Sequence, residues 1–354
     1  MRPSWDTVIV GAGIMGALIQ DHLRTLRPDA SVLVLDRSVP AAGATGRSAG
    51  LCLPLADTPG RAELVRSSHE YLLRQADRFG ARIVRPVEMW FVTTRPSRDR
   101  LAARWIGSPL RTVGRDAIET AYAGLRLEPD EIVSASSGDC FAVDAGRLAR
   151  CLLDAGNATV WDGCTVVGVQ PRADRVEVRM ASGATVLACS VVLATGGWPL
   201  PVDGFSPTWP AKRIAALQVD HAVPSGTPIV DFLDDEVFLM PVPGAPLTVS
   251  FRRTAWAGAG ADLDLATTQD DLDEGRAALR RRAPQLADRV VGARAAYDGY
   301  PDSGEPVVAA IGDGRVVVAG GMGGSGVRLG PAVARRAASL VATVAGVRTQ
   351  EPVR

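Results

Sequence analysis

Residues 7–16 read TVIVGAGIMG, and residues 32–37 read VLVLDR. The stretch 7–10 is apolar almost throughout, as a strand covered on both faces is. The chain then breaks into Gly11, Gly13 and Gly16. From Ile14 to about Leu26 apolar residues recur at helical spacing, until Pro28 ends the run. Residues 32–35 predict a second strand, so the three elements form a strand–helix–strand unit of the size that a right-handed crossover needs. In such a unit Gly11 permits a tight turn out of the strand, Gly13 leaves room for phosphates, and Gly16 lets the helix pack on the sheet. The helix N-terminus offers unpaired N–H groups and partial positive charge to an anion. Asp36 stands twenty residues past Gly16, at the end of the second strand, where a carboxylate accepts from ribose hydroxyls. These features imply a bound dinucleotide and leave NAD and FAD both open.

The rest of the composition narrows the class. The chain has 354 residues, enough for roughly two domains. With 47% hydrophobic and 22% charged residues it is an ordinary globular sequence. The formal net charge is zero and no basic stripe occurs, so neither nucleic acid nor an anionic membrane is expected as a partner. Lys212 is the sole lysine, so a mechanism that needs one has a single candidate. Cys52, Cys140, Cys151, Cys164 and Cys189 are odd in number and show no CxxC spacing. With no secretory segment ahead of the first strand, they read as thiols in a reducing compartment, and the expected location is the cytoplasm.

Further along, residues 62–79 predict an amphipathic helix closed by Gly80, and Asp144 caps another. Strand-like runs follow at 164–170, 175–180 and 185–197, with a hairpin turn at Ser182-Gly183 between the last two. From Pro199 to about Arg294 the pattern is irregular and proline-rich, with short strands such as 246–251 and one helix near 268–283. Residues 315–344 return to strand, glycine loop and helix, with Pro331 in the first helical turn. The nucleotide-like segments therefore come in three separated pieces, which weighs against a simple two-half NAD dehydrogenase.

Three stretches favour FAD: GATGRSAG at 43–50, VVLATGGWP at 191–199, and AGGMGGSGVRLGPA at 319–332. A second glycine-rich helix N-terminus suits an electron-rich group such as the flavin pyrimidine ring. With VIVGAGIMG, Asp36 and the PDSGEPVV of 301–308, these motifs resemble the FAD-dependent D-amino-acid oxidase superfamily, in its glycine/sarcosine oxidase branch. The likeness is scattered over the chain, with nothing quotable between about 85 and 135. It implies an α/β fold: a discontinuous Rossmann-like FAD-binding domain (1–80, 140–205 and 295–354) with an inserted α+β substrate domain on an antiparallel sheet (81–139 and 206–294). It puts Gly11, Gly13, Ile14, Met15, Gly16, Asp36, Arg37, Ala44, Thr45, Arg47, Ser48 and Val166 around the cofactor. Gly196, Gly197, Trp198, Gly323, Gly324, Ser325, Gly326, Val327 and Arg328 complete the set. Arg37 and Val166 alone suggest no ligand.

The departures from the family matter as much. Some relatives tether flavin through a cysteine near the last glycine loop; none is present here, so FAD is expected to be noncovalent. Thr248 stands where sarcosine oxidase-like members carry a lysine that activates oxygen. Either Arg252 supplies that charge, or the acceptor is not oxygen. Asp298 falls where glycine oxidase-like members carry a carboxylate-binding arginine, and an acid there attracts an ammonium. Arg328 falls where sarcosine oxidase-like members place a carboxylate-binding lysine, which makes it the first choice as carboxylate anchor, with Arg252 second. His22 and His69 read as structural or exposed; His221 is the one histidine in the substrate segment. No metal cluster or catalytic triad is visible, consistent with hydride loss from an amine, which needs positioning and a desolvated site. The implied activity is oxidation of an amine or amino acid to an imine, with oxygen or another acceptor. A hydroxy-acid substrate, an NAD-dependent dehydrogenase and a flavin-binding protein without turnover stay open as alternatives.

Overall fold

The computed structural model describes residues 4–156, 158–198, 200–202, 209–257 and 263–346. β1 (Ser4–Val10), α1 (Ile14–Leu26) and β2 (Val32–Leu35) form the expected crossover, with β1 and β2 parallel. The two strands run fully buried at Val8–Val10 and Val32–Leu35 because helices and loops cover both faces.

β1 also pairs in parallel with Thr185–Leu193. That nine-residue strand divides its partners. Its first half joins the antiparallel hairpin strands Val166–Pro171 and Val176–Met180, while its last residues, Val191–Leu193, pair in parallel with Val316–Gly320. Val307–Ile311 closes that edge and Thr159–Trp161 the other, giving an eight-stranded sheet drawn from the start, middle and end of the chain. α1, the helix Ala145–Asp154 and the helix beginning at Gly330 pack together on one face of it. Asp144 caps the second of these by accepting from the Arg147 N–H. The helix Pro59–Phe79 begins three residues before its expected start, because Thr58 caps it and Pro59 suits the first turn.

The second layer is the antiparallel sheet that the resemblance implied, although its own letters showed little strand pattern. The stretch that looked irregular builds most of a nine-stranded, largely antiparallel sheet, whose strands come from 89–135 and 211–299. Ala211–Val219 pairs with Leu247–Phe251 on one side and Val290–Gly299 on the other. Among the described residues the sheet's one parallel contact joins Ile229–Phe232 to Met89–Thr93. The helix Gln269–Arg282 lies on the outer face, started by a capping box between Thr268 and Asp271. Under it Asp271 is fully buried, bonded to Arg213 Nε at 2.9 Å and paired with Arg253. Burial raises its carboxyl, but hydrogen bonds from Arg213 and from the Thr268 N–H outweigh that and hold it below the usual carboxylate range. The expected domain boundary at 205–206 and the end of the last segment lie outside the described residues. Among the described residues no helix is long and apolar enough to cross a membrane.

Candidate active site

The two sheets enclose a cavity of about 1050 Å³. Its floor is the end of β1, where the glycine loop shows why it carries no side chains. Gly11 has φ +109°, and a Cβ there would collide with the Ala194 carbonyl. A Cβ on Gly16 would collide with the Gly11 carbonyl, so α1 could not seat against the strand. Gly16 accordingly lies behind the cavity, while Gly11, Gly13, Ile14 and Met15 line it. Thr45 Oγ1 accepts from the Ile14 N–H at 2.9 Å, so the 43–50 loop is fastened directly to the helix N-terminus.

Asp36 does more than sequence suggested. One carboxylate oxygen accepts from Ala12 N at 2.7 Å and the other from Ser38 N at 2.8 Å, tying the end of β2 to the glycine loop. A carboxylate has about four acceptor positions, so two remain for a ribose. Arg37 stacks 3.9 Å from the ring centre of Trp198. The Trp198 Nε1–H is buried without a hydrogen-bond partner among the described residues. Asp36, Arg37, Ala44, Thr45, Arg47, Ser48, Val166, Gly196, Gly197 and Trp198 all line the cavity. Arg47 is turned back to the Ala42 and Gly43 carbonyls, which braces the loop.

The opposite end is closed by the loop before the last helix. Gly323 and Gly324 have positive φ, and Gly324 is crowded by Tyr300 Oη, 3.2 Å from where its Cβ would be, and by Asp298 Oδ2 at 3.7 Å. Gly323, Gly324, Gly326, Val327 and Arg328 line the cavity; Ser325 is buried behind them. A long cavity with a bare backbone at two helix N-termini, a free indole N–H and an acid with spare acceptor sites fits an extended dinucleotide with a flat ring system.

One face of the nine-stranded sheet forms the roof. Ile214, Ala216, Thr248, Ser250, Ala296 and Asp298 alternate inward, while Ala215, Leu217, Val249 and Phe251 face the core beneath Gln269–Arg282. Asp298 has no hydrogen bond or ion pair among the described residues, and burial pushes its carboxyl up to about 6. Tyr300 is pushed up to about 12 by burial and by Asp298. Arg328 is fixed by Nη1 to Leu55 O at 3.1 Å and by Nη2 to Ser325 Oγ at 3.0 Å. Beside it His69 is pulled down to about 4 by burial and then by the Arg328 charge, so it is neutral at physiological pH.

Not every candidate reaches the cavity. Arg252 is exposed and bonded to Glu236 at 2.9 Å, so the structure does not bring it to the site either as oxygen-activating charge or as second anchor. The cation near Thr248 is instead Arg294, whose Nη2 donates to Thr248 Oγ1 at 3.1 Å from the neighbouring strand system. Lys212 lies over the rings of Trp256 and Tyr300. His221 sits at a strand end against Arg289. The residue that sequence reasoning missed is Asp231, whose carboxyl lies deep in the cavity wall. Its signal was an acid inside the apolar run IVDF.

Solved structures resemble this fold over nearly its whole length. Glycine oxidase from Geobacillus kaustophilus superposes with a TM-score of 0.78 at 18% identity, covering 96% of this chain and 95% of that one. L-proline dehydrogenase from P. horikoshii gives 0.79 at 17%, covering 96% and 94%. Iminodiacetate oxidase from Chelativorans sp. BNC1 gives 0.74 at 21%, covering 98% and 96%. A search of curated proteins returned no match. Residues 6–340 match the family described as FAD dependent oxidoreductase (DAO), and the chain is therefore a member of that family, an enzyme whose cofactor is FAD.

Proposed function

We propose that this enzyme oxidises the C–N bond of an amine or amino acid to an imine, which water then hydrolyses, with dioxygen as the acceptor that leaves as hydrogen peroxide. The observation that carries the reading is the presence in one cavity of a fixed guanidinium, Arg328, and an unpaired carboxylate, Asp298, both at the 323–328 loop. Those charges complement a carboxylate and an ammonium, and the nitrogen gives up one proton to solvent before hydride leaves, so that its lone pair can form the C=N bond. When bound, FAD supplies the two-electron acceptor. The protein supplies position and exclusion of water: Arg328 orients the substrate, Asp298 holds its nitrogen, and the apolar wall keeps the reacting carbon desolvated. Support for dioxygen comes from Arg294, a fixed cation one hydrogen bond from the cavity surface, which favours negative charge developing on reduced oxygen. With no cysteine in the 319–332 loop the FAD is held noncovalently, and the five free thiols suit a reducing cytoplasm.

The direct test is the visible spectrum of the purified protein, followed anaerobically against amines, amino acids and 2-hydroxy acids, with peroxide measured after air is admitted. Bleaching by amines and peroxide on reoxidation are expected. Bleaching by hydroxy acids alone would overturn the substrate class, and reoxidation only by artificial acceptors would overturn the oxidase assignment. Yellow colour should pass to the supernatant on acid precipitation.

A pH dependence follows from Asp298. Its carboxyl is neutral below about 6 and then offers an ammonium no charge. For a substrate that is cationic throughout, kcat/KM is expected to rise as pH climbs through about 6, and Asp298→Asn to lack that limb. Stability runs the other way. The unfolded chain loses this proton near 3.8, so the contribution is present below that value and is lost as pH rises to about 6. A profile unchanged in the variant would remove Asp298 from substrate binding.

A further inference from the structure

Asp231 belongs to the strand Ile229–Phe232, and register fixes which way it faces. It stands opposite Phe238, which stands opposite Ser250, which stands opposite Ala216. All four line the cavity, while Val230 and Phe232 on either side of Asp231 enter the core. Among the described residues the Asp231 carboxylate has no hydrogen bond and no ion pair. Burial, with the Glu236 charge added, pushes it up to about 7. An acid left uncompensated inside a strand otherwise made of Ile, Val and Phe weakens the fold, and an apolar residue would pack there without that penalty. Nothing among the described residues calls for it.

Asp298 does not account for this second acid. Asp298 lies on Val290–Gly299, which pairs with Ala211–Val219; the order then runs through Leu247–Phe251 and Val237–Met240 to Ile229–Phe232. Those are four strand spacings, on the order of 19 Å across the sheet at about 4.8 Å each. A small amine held at Asp298 does not reach Asp231. The cavity surface beside Asp231 includes Phe238 and Met89, which complement methylene groups.

Resting on the reading of an amine-oxidising site, we propose that Asp231 is a specificity residue that binds a second cationic nitrogen of the substrate, remote from the carbon that is oxidised. The substrate class is then a long-chain diamine or polyamine, with an apolar chain lying along the wall and a positively charged far end on Asp231. A cation arriving there restores the ionised carboxylate and forms the buried pair that the free protein lacks.

The test compares compounds that share a carbon skeleton, differ by one nitrogen and are long enough to span the two acids: decamethylenediamine against decylamine, and dodecamethylenediamine against dodecylamine. The FAD-loaded enzyme is assayed for anaerobic bleaching and peroxide, and its melting temperature is read with each compound. The dicationic member of at least one pair is expected to give a kcat/KM about 10²-fold higher and the larger rise in melting temperature. Asp231→Asn should bring that ratio close to one, and Asp231→Glu should keep most of it. Flavin content and melting temperature of the free variants establish that they fold. Monocationic compounds that bleach the flavin as well as their partners, or a ratio that survives in Asp231→Asn, would overturn the proposal and leave amine oxidation standing. Failure of every amine to bleach the flavin would instead overturn the amine reading, and this proposal with it.

Discussion

Protein carrying Gly11→Ala is expected to purify without bound flavin. Gly11 turns the chain out of β1 with φ +109°, a region that costs an alanine on the order of 1–3 kcal/mol. The added Cβ would also strike the Ala194 carbonyl group, whose carbon would lie 2.9 Å away. Ala194 and Gly11 directly follow adjacent parallel strands whose ends define the cavity floor, with Ala194 N donating to Val10 O at 2.8 Å. Neither backbone can retreat without breaking that register, and overpacking of this kind adds about 1–3 kcal/mol more. The loop must therefore lift toward the space a pyrophosphate needs. A weakening of FAD binding by 10²-fold or more is expected, at about 1.4 kcal/mol per tenfold. The ratio of flavin to protein absorbance after purification, followed by FAD titration, measures it. Gly60→Ala is the control, since Gly60 has open space around its Cβ position and should keep full colour. A yellow Gly11→Ala protein with unchanged affinity would mean that the first glycine loop is not where the cofactor phosphates lie.

That half of the site could be read from the chain because its determinants are local. The turn at Gly11, the helix from Ile14 and the acid at Asp36 lie within one short crossover, and the bounds of α1 and β2 fall where periodicity and Pro28 put them. The roof could not be read this way. In Ala211–Val219 alternate residues are buried, yet the pattern in the letters is inverted. Ile214 and Ala216 are apolar and face the cavity, whereas Arg213 faces the core and is neutralised there by Asp271, some sixty residues away. A strand whose open face carries Ile214 and Ala216 in its middle and whose closed face holds an ion pair shows little amphipathic signature. The parallel contact of Ile229–Phe232 with Met89–Thr93 is more distant still, so the stretch between 85 and 135 gave no motif to quote although it builds part of the substrate wall. Asp231 was missed for the same reason. In the sequence it is one acid in a short run, and only register shows that it is turned from the core into the cavity. Arg294 was missed because its partner, Thr248, lies on a strand that no local pattern connects to it.

Replacing Arg328 with alanine is expected to raise KM for an amino-acid substrate by about 10²- to 10³-fold and to leave KM for the corresponding amine without a carboxylate almost unchanged. The guanidinium has five N–H donors, of which Leu55 O and Ser325 Oγ take two. The remaining donors are free for a bidentate carboxylate, and the two protein bonds hold the fork in place before substrate arrives. Burial, then the neighbouring Arg61 charge, lowers the affinity of Arg328 for its proton, yet an arginine stays charged under any working condition. A cation so enclosed has lost water and gains more from a carboxylate than an exposed one. Removing it leaves the substrate anion buried and unpaired, at a cost of about 3–5 kcal/mol. Binding of this kind is shared by ground and transition states, so the loss should fall on KM more than on kcat. Arg328→Lys should recover only part of it, because an ammonium is a point charge that cannot span two oxygens and reach Leu55 and Ser325 together. Equal losses for amino acid and amine would point instead to collapse of the 323–328 loop. Flavin content separates the two causes, since a displaced loop would release the cofactor and a missing anchor would not.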